Sequence, residues 1–115
     1  MRSARVRLED IAEAIAGIRS TLANQSFDVF ARSWALQRAV ERGLEIISEA
    51  SRAIPEDTKS SYPEVPWADI AGIGNILRHE YHRVEPLIVW NITVEHPPAL
   101  AAVISTLLAA PPPNP

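Results

Sequence analysis

The sequence predicts an all-α chain of four to five helices in an up-and-down bundle. Three observations carry the helical class. Apolar residues recur at spacings of three and four, the period of one helix face. The stretch from Met1 to Ile54 contains no proline, and six of the ten prolines lie after His96. No segment alternates apolar and polar residues as a half-buried strand would.

The first helix is expected over 6–22, where Leu8, Ile11, Ile15, Ile18 and Leu22 form one stripe. Glu9, Asp10, Glu13 and Arg19 fall on its other faces. Asn24 and Ser26 mark a break, and Ser26 suits the cap of a new helix. That second helix is expected to run unbroken over 27–53, with Phe30, Trp34, Leu36, Val40, Leu44, Ile47 and Ala50 inward. Gly43 weakens it by ~1 kcal/mol relative to alanine, or else admits a close neighbour. Ile54-Pro55 ends it, because the residue before proline avoids the helical region.

Residues 55–66 read as a loop with one short helical turn. Pro66 stands where a first helical residue would. A third long helix follows over 67–81, with Trp67, Ile70, Ile73, Ile76 and Leu77 as its stripe and Gly72 and Gly74 within it. A fourth helix opens at Pro86 and runs over 86–95, with Val89 and Ile92 inward beside Trp90. His96-Pro97-Pro98 breaks the chain. A last alanine-rich helix over 99–110 carries Leu100, Val103, Ile104, Leu107 and Leu108. The chain therefore reads as one helical domain, 1–110, with a proline-rich tail, 111–115.

Composition narrows the function. With 115 residues, 47% of them hydrophobic and 22% charged, the chain can bury one modest core. A net charge of −3 argues against a uniformly basic nucleic-acid binder, so any RNA contact needs a local patch. The absence of cysteine excludes disulfides, a thiolate zinc site and a cysteine nucleophile. No apolar run is long enough to span a membrane. The N-terminus is basic but lacks an apolar signal core. A cytoplasmic, membrane-free protein is expected.

The densest chemistry is Asn75-Ile76-Leu77-Arg78-His79-Glu80-Tyr81-His82-Arg83, where seven of nine residues are polar. One reading is a phosphate-handling site. Histidine titrates near neutrality and passes protons. Arginine forks onto phosphate, and Tyr81 could stack on a base or carry a modification. The plainer reading is a solvated helix end whose cations complement the helix dipole. His79 and His82 could share a face, but Glu80 is on another and no HExxH pattern exists, so no metal is expected. No other cofactor is implied. Glu41, Glu45 and Glu49 make an acidic ridge, either a solvated face paired with Arg38 and Arg42 or a support that orients the Arg/His cluster through Glu45 and Glu49. Trp34 and Trp67 suit the core, whereas Trp90 could support the site.

Several runs together resemble the HepT-like proteins of the HEPN superfamily, the toxin half of HepT/MntA toxin–antitoxin pairs. They are Arg7-Leu8-Glu9-Asp10-Ile11, Ala39-Val40-Glu41-Arg42, Glu45-Ile46-Ile47-Ser48-Glu49-Ala50, Tyr62-Pro63-Glu64-Val65-Pro66-Trp67, Ile70-Ala71-Gly72, Asn75 to Tyr81, and Val89-Trp90. The resemblance covers nearly the whole chain in order. It implies a helical homodimer with active sites at the dimer cleft. It implies a metal-independent endoribonuclease whose motif is an arginine, four to six residues, then histidine and x-Tyr. It also implies a partner, a minimal nucleotidyltransferase antitoxin that uses ATP to attach AMP to the motif tyrosine.

Carried over, His79 is the proton-transfer residue, Tyr81 the AMP acceptor, and Asn75 the polar residue after the motif arginine. The arginine itself is absent: position 74 is glycine. A transition-state arginine can be worth ~10³–10⁵ in rate in phosphoryl transfer. Arg78, or Arg83 beyond the helix end or from a second subunit, is the candidate replacement, with His82 in support. Ser48 stands where the family usually has glycine, and is expected to crowd a helix contact. Impaired RNA cleavage is therefore expected. The alternative is a catalytically silent helical dimer that binds a nucleotidyltransferase or a nucleotide. A plain dimeric bundle with a polar helix end is a third reading.

Overall fold

The computed structural model describes residues 4–79, 86, 89, 90, 93, 100–103, 105, 106 and 109. The first apolar stripe folds as α1 (Ala4–Leu22). Leu8, Ile11, Ile15 and Ile18 are buried, and Leu22 packs against them half-buried. The chain then turns at Asn24, whose φ of 61° is in the left-handed region that asparagine tolerates. Ser26 caps the next helix as expected, its Oγ accepting from the Val29 amide at 3.2 Å.

The single helix expected over 27–53 is two: α2 (Phe27–Arg32) and α3 (Trp34–Arg52). Ser33 is the whole joint. Its backbone is extended, at φ −108° and ψ 107°. Its amide donates to Phe30 O at 3.2 Å, and its hydroxyl accepts from the Leu36 amide at 3.1 Å. Gln37 Nε2 donates to Phe30 O and Ala31 O, both at 3.0 Å. The last carbonyls of α2 and the first amides of α3 are thus satisfied locally, so the break costs little. Apolar periodicity is blind to it.

The joint also corrects the placing of Trp34, which is 72% exposed rather than in the core. Its ring lies 5.6 Å from the Arg38 guanidinium. Phe30 fills the core instead, fully buried, with Trp90 packed against it at 5.5 Å and against Phe27 at 5.9 Å.

Val40, Leu44, Ile47 and Ala50 of α3 are buried against α1 and α5. Gly43 is a close-approach glycine. A Cβ there would stand 2.8 Å from Ile18 Cγ1 and 2.9 Å from its Cδ1. The short turn expected in the following loop is α4 (Glu56–Ser60).

Helix α5 (Trp67–His79) starts one residue after Pro66, whose carbonyl accepts from the Ile70 amide at 3.0 Å. Pro66 is therefore the cap rather than the first helical residue. Trp67 is half-buried, its Nε1 donating to Tyr62 O at 3.2 Å. Ile70 and Leu77 are buried, but Ile76 is 48% exposed and leaves the expected stripe. At 100° per residue it lies well round the helix from Ile70 and Leu77.

Pro86, Val89, Trp90 and Thr93 are helical, as are 100–103, 105, 106 and 109, with Val89, Leu100 and Val103 buried. Among the described residues there is no strand. The remainder of the helices expected over 86–95 and 99–110, and the tail 111–115, lies outside the described residues.

Candidate functional site

The site region is built where α3 crosses α5. Ser48, 1% exposed, reaches from α3 into the α5 backbone. Its Oγ donates to Ala71 O at 2.9 Å and accepts from the Gly74 amide at 3.0 Å. One turn further along α3, Arg52 Nη2 donates to the same Ala71 carbonyl at 2.8 Å. Ser51 is fully buried and donates to Ser48 O at 2.7 Å, fixing the end of α3.

These links set the direction of the pair. Position 48 meets 74 and 71, and position 52 meets 71, so the two helices run antiparallel. Five residues after Gly74, about 7.5 Å along the axis, the backbone of His79 is level with the middle of α3.

The crowding expected at Ser48 does not occur. A serine is small, and the backbone it meets belongs to a glycine, itself buried. Ser48 and Gly74, the two positions expected to depart from the family pattern, are bonded to each other.

Asn75 follows on the exposed side of α5 and is already engaged by a partner. Arg78 and His79 close α5, but their side chains lie outside the described residues. So do Glu80, Tyr81, His82, Arg83 and His96.

The acidic ridge is partly paired with its own helix. Arg38 holds Glu41 at 2.9 Å, and Arg42 lies 3.8 Å from Glu45. Glu45 and Glu49 also line a cavity of about 300 Å³ with Arg7 and Asp10 of α1. The structure thus places these two carboxylates toward α1, while Ser48 and Arg52 make the link to α5. Arg7 Nε is buried there without a hydrogen-bond partner among the described residues.

Arg52 is the residue that sequence reading passes over. Spacing shows that it ends a helix but not that its guanidinium crosses to the neighbouring one. No helix among the described residues is long and apolar enough to cross a membrane.

Fold and site together define an all-α bundle in which α5 is held on α3 through Ser48, Arg52, Ala71 and Gly74. The family model described as "Ribonuclease HepT-like" matches residues 11–107. The chain belongs to the HepT-like ribonuclease family. It is 41% identical over 99 residues to the "Probable ribonuclease HepT" of Thermococcus cleftensis, covering 86% of this chain and 90% of that protein. It is 33% identical over 99 residues to a Methanocaldococcus jannaschii protein whose name marks it as an unproven RNase, covering 86% and 91%. A Caldanaerobacter subterraneus protein, also named as an unproven RNase, is 32% identical over 108 residues, covering 94% and 96%. No solved structure matches the chain significantly.

Proposed function

We propose that this chain is the toxin-type subunit of a two-component pair, an endoribonuclease that works without metal in the cytoplasm. The observation that carries the proposal is the family match across 11–107, which contains the whole Asn75-to-Tyr81 run. His79 passes the proton. The RNA 2′-hydroxyl loses its proton as its oxygen bonds to phosphorus. The bond from phosphorus to the 5′ oxygen breaks, and that oxygen takes up a proton. The products are a 2′,3′-cyclic phosphate and a 5′-hydroxyl. Asn75 helps orient the phosphate, and Arg78 or Arg83 is the candidate phosphate contact, with His82 in support.

The active unit is a homodimer with its sites in the shared cleft. Its partner is a minimal nucleotidyltransferase, which joins the ATP α-phosphate to the Tyr81 oxygen and releases pyrophosphate. The bulky, charged adduct blocks the cleft.

Gly74 favours a second reading, a silent HEPN dimer that binds the nucleotidyltransferase or a nucleotide. Position 74 is buried and supplies no cation. The test is cleavage of tRNA and mRNA in chelator by the native chain, His79→Ala and Gly74→Arg. Native cleavage that His79→Ala abolishes supports the ribonuclease. Native silence with cleavage gained in Gly74→Arg moves the reading to the silent dimer.

A further inference from the structure

We infer that Arg52 supplies the phosphate-contacting guanidinium of this site, lent from α3 to α5 in place of a side chain at position 74. The inference rests on the ribonuclease reading above. An arginine in the last turn of a helix commonly serves the carbonyls of that helix. Arg52 does not: its Nη2 crosses to Ala71 O on α5 at 2.8 Å. A guanidinium has five N–H donors in a fixed fork. This bond uses one end of it, the side chain is solvent-exposed, and it forms no ion pair among the described residues. Among the described residues no other group takes the remaining donors, and they suit a phosphate, which a guanidinium binds through two parallel bonds.

Its position is the second part of the argument. A helical side chain leans toward the N-terminus and covers the turn before its own Cα. A long side chain at 74 would therefore lie over the turn that contains Ala71, three residues earlier on the same face. That is where Arg52 brings its charge. Ala71, Asn75, Arg78 and His79 share one stripe of α5, by their spacings of four, seven and eight. The Arg52 cation thus sits at the start of the stripe that His79 ends.

Ser48, Gly74 and Arg52 then form a single rearrangement. Loss of the side chain at 74 leaves the backbone open. The Ser48 hydroxyl takes the Gly74 amide and the Ala71 carbonyl, and Arg52 shares that carbonyl.

The test is a cycle of four proteins: the native chain, R52Q, S48G/G74R, and S48G/G74R/R52Q, with R52K beside R52Q. Each is assayed for kcat/KM on a short single-stranded RNA in chelator, and its fold is checked by circular dichroism and Tm. In the native background R52Q is expected to lower kcat/KM about 10²-fold or more, as loss of one transition-state donor does. R52K is expected to recover part of that loss, because it restores charge without the fork. In the S48G/G74R background the R52Q loss is expected to shrink at least tenfold, because position 74 then carries the cation. Full native activity in R52Q overturns the proposal and leaves the ribonuclease reading standing. An equal loss in both backgrounds also overturns it, since that marks a structural role. A silent native chain with an active S48G/G74R removes Arg52 but keeps the scaffold. Silence of all four removes the ribonuclease reading and this proposal together.

Discussion

Ser48→Ala removes one oxygen from the crossing of α3 and α5, and its cost can be worked from the bonds that oxygen makes. The hydroxyl donates to Ala71 O at 2.9 Å and accepts from the Gly74 amide at 3.0 Å. A net hydrogen bond contributes about 0.5–1.5 kcal/mol, and a buried donor left unmade costs about 1–3 kcal/mol. The two losses differ in kind. Ala71 O keeps Arg52 as a donor, so its share is at the low end. The Gly74 amide is buried and loses the acceptor described here. A total of about 1–3 kcal/mol follows from those ranges. At roughly 4 °C per kcal/mol for a domain near this size, Tm should fall by about 4–12 °C. Urea titration should show a lower midpoint at an unchanged slope, because the exposed area on unfolding is the same. Ser48→Gly should fall further, since glycine is also the poorer helix former. A Ser48→Ala loss below about 0.5 kcal/mol, within the range of ordinary surface changes, would refute the reasoning. It would mean that the Gly74 amide closes back into its own helix at no cost.

Other expectations concern packing and caps. Gly17→Ala should stabilise by about 0.4–1 kcal/mol, because a helical glycine is replaced where no atom of the described residues lies within 4 Å of the new Cβ. Gly43→Ala should destabilise, because the new Cβ meets Ile18 at 2.8 Å and overpacking costs about 1–3 kcal/mol against a propensity gain of about 1. Opposite signs in parallel thermal melts would check the pair. Phe30→Ala should cost about 3–5 kcal/mol by denaturant titration, since Phe30 is fully buried against Trp90. Trp34→Ala should change stability by less than about 0.5 kcal/mol, as an exposed side chain does, and should remove the most quenchable tryptophan fluorescence.

Much of the bundle was legible because burial follows period. Leu8, Ile11, Ile15 and Ile18 are three and four apart, and all four are buried. Ser26 was legible as a cap because its hydroxyl serves the amide three residues on. The break at Ser33 was not, since the apolar spacing continues through it from Phe30 to Val40. Trp34 was misplaced for the same reason: extending one helix across the joint rotates it inward. Ile76 shows the limit of counting spacings one at a time, because a chain of threes and fours can drift off the buried face. At the site, residue type and order pointed to the Asn75-to-Tyr81 run and to Gly74 as a departure. They did not show that Ser48 and Gly74 touch, or that Arg52 joins them. Those are contacts between residues 19 to 26 apart, which only the packing of α3 on α5 brings together.

The one-residue joint at Ser33 makes this stretch intolerant of changes in length. Inserting a residue within α2 turns everything before it by about 100° about the helix axis and moves it about 1.5 Å along. Upstream of Phe30 such a change spares the Phe30–Trp90 contact but displaces Phe27. Between Phe30 and Ser33 it swings Phe30 itself out of phase with the core. A deletion at Ser33 takes away the terminator of one helix and the initiator of the next in a single step. Related chains should therefore vary in residue type at the exposed positions of this segment while keeping its residue count, with insertions confined to the turn around Asn24.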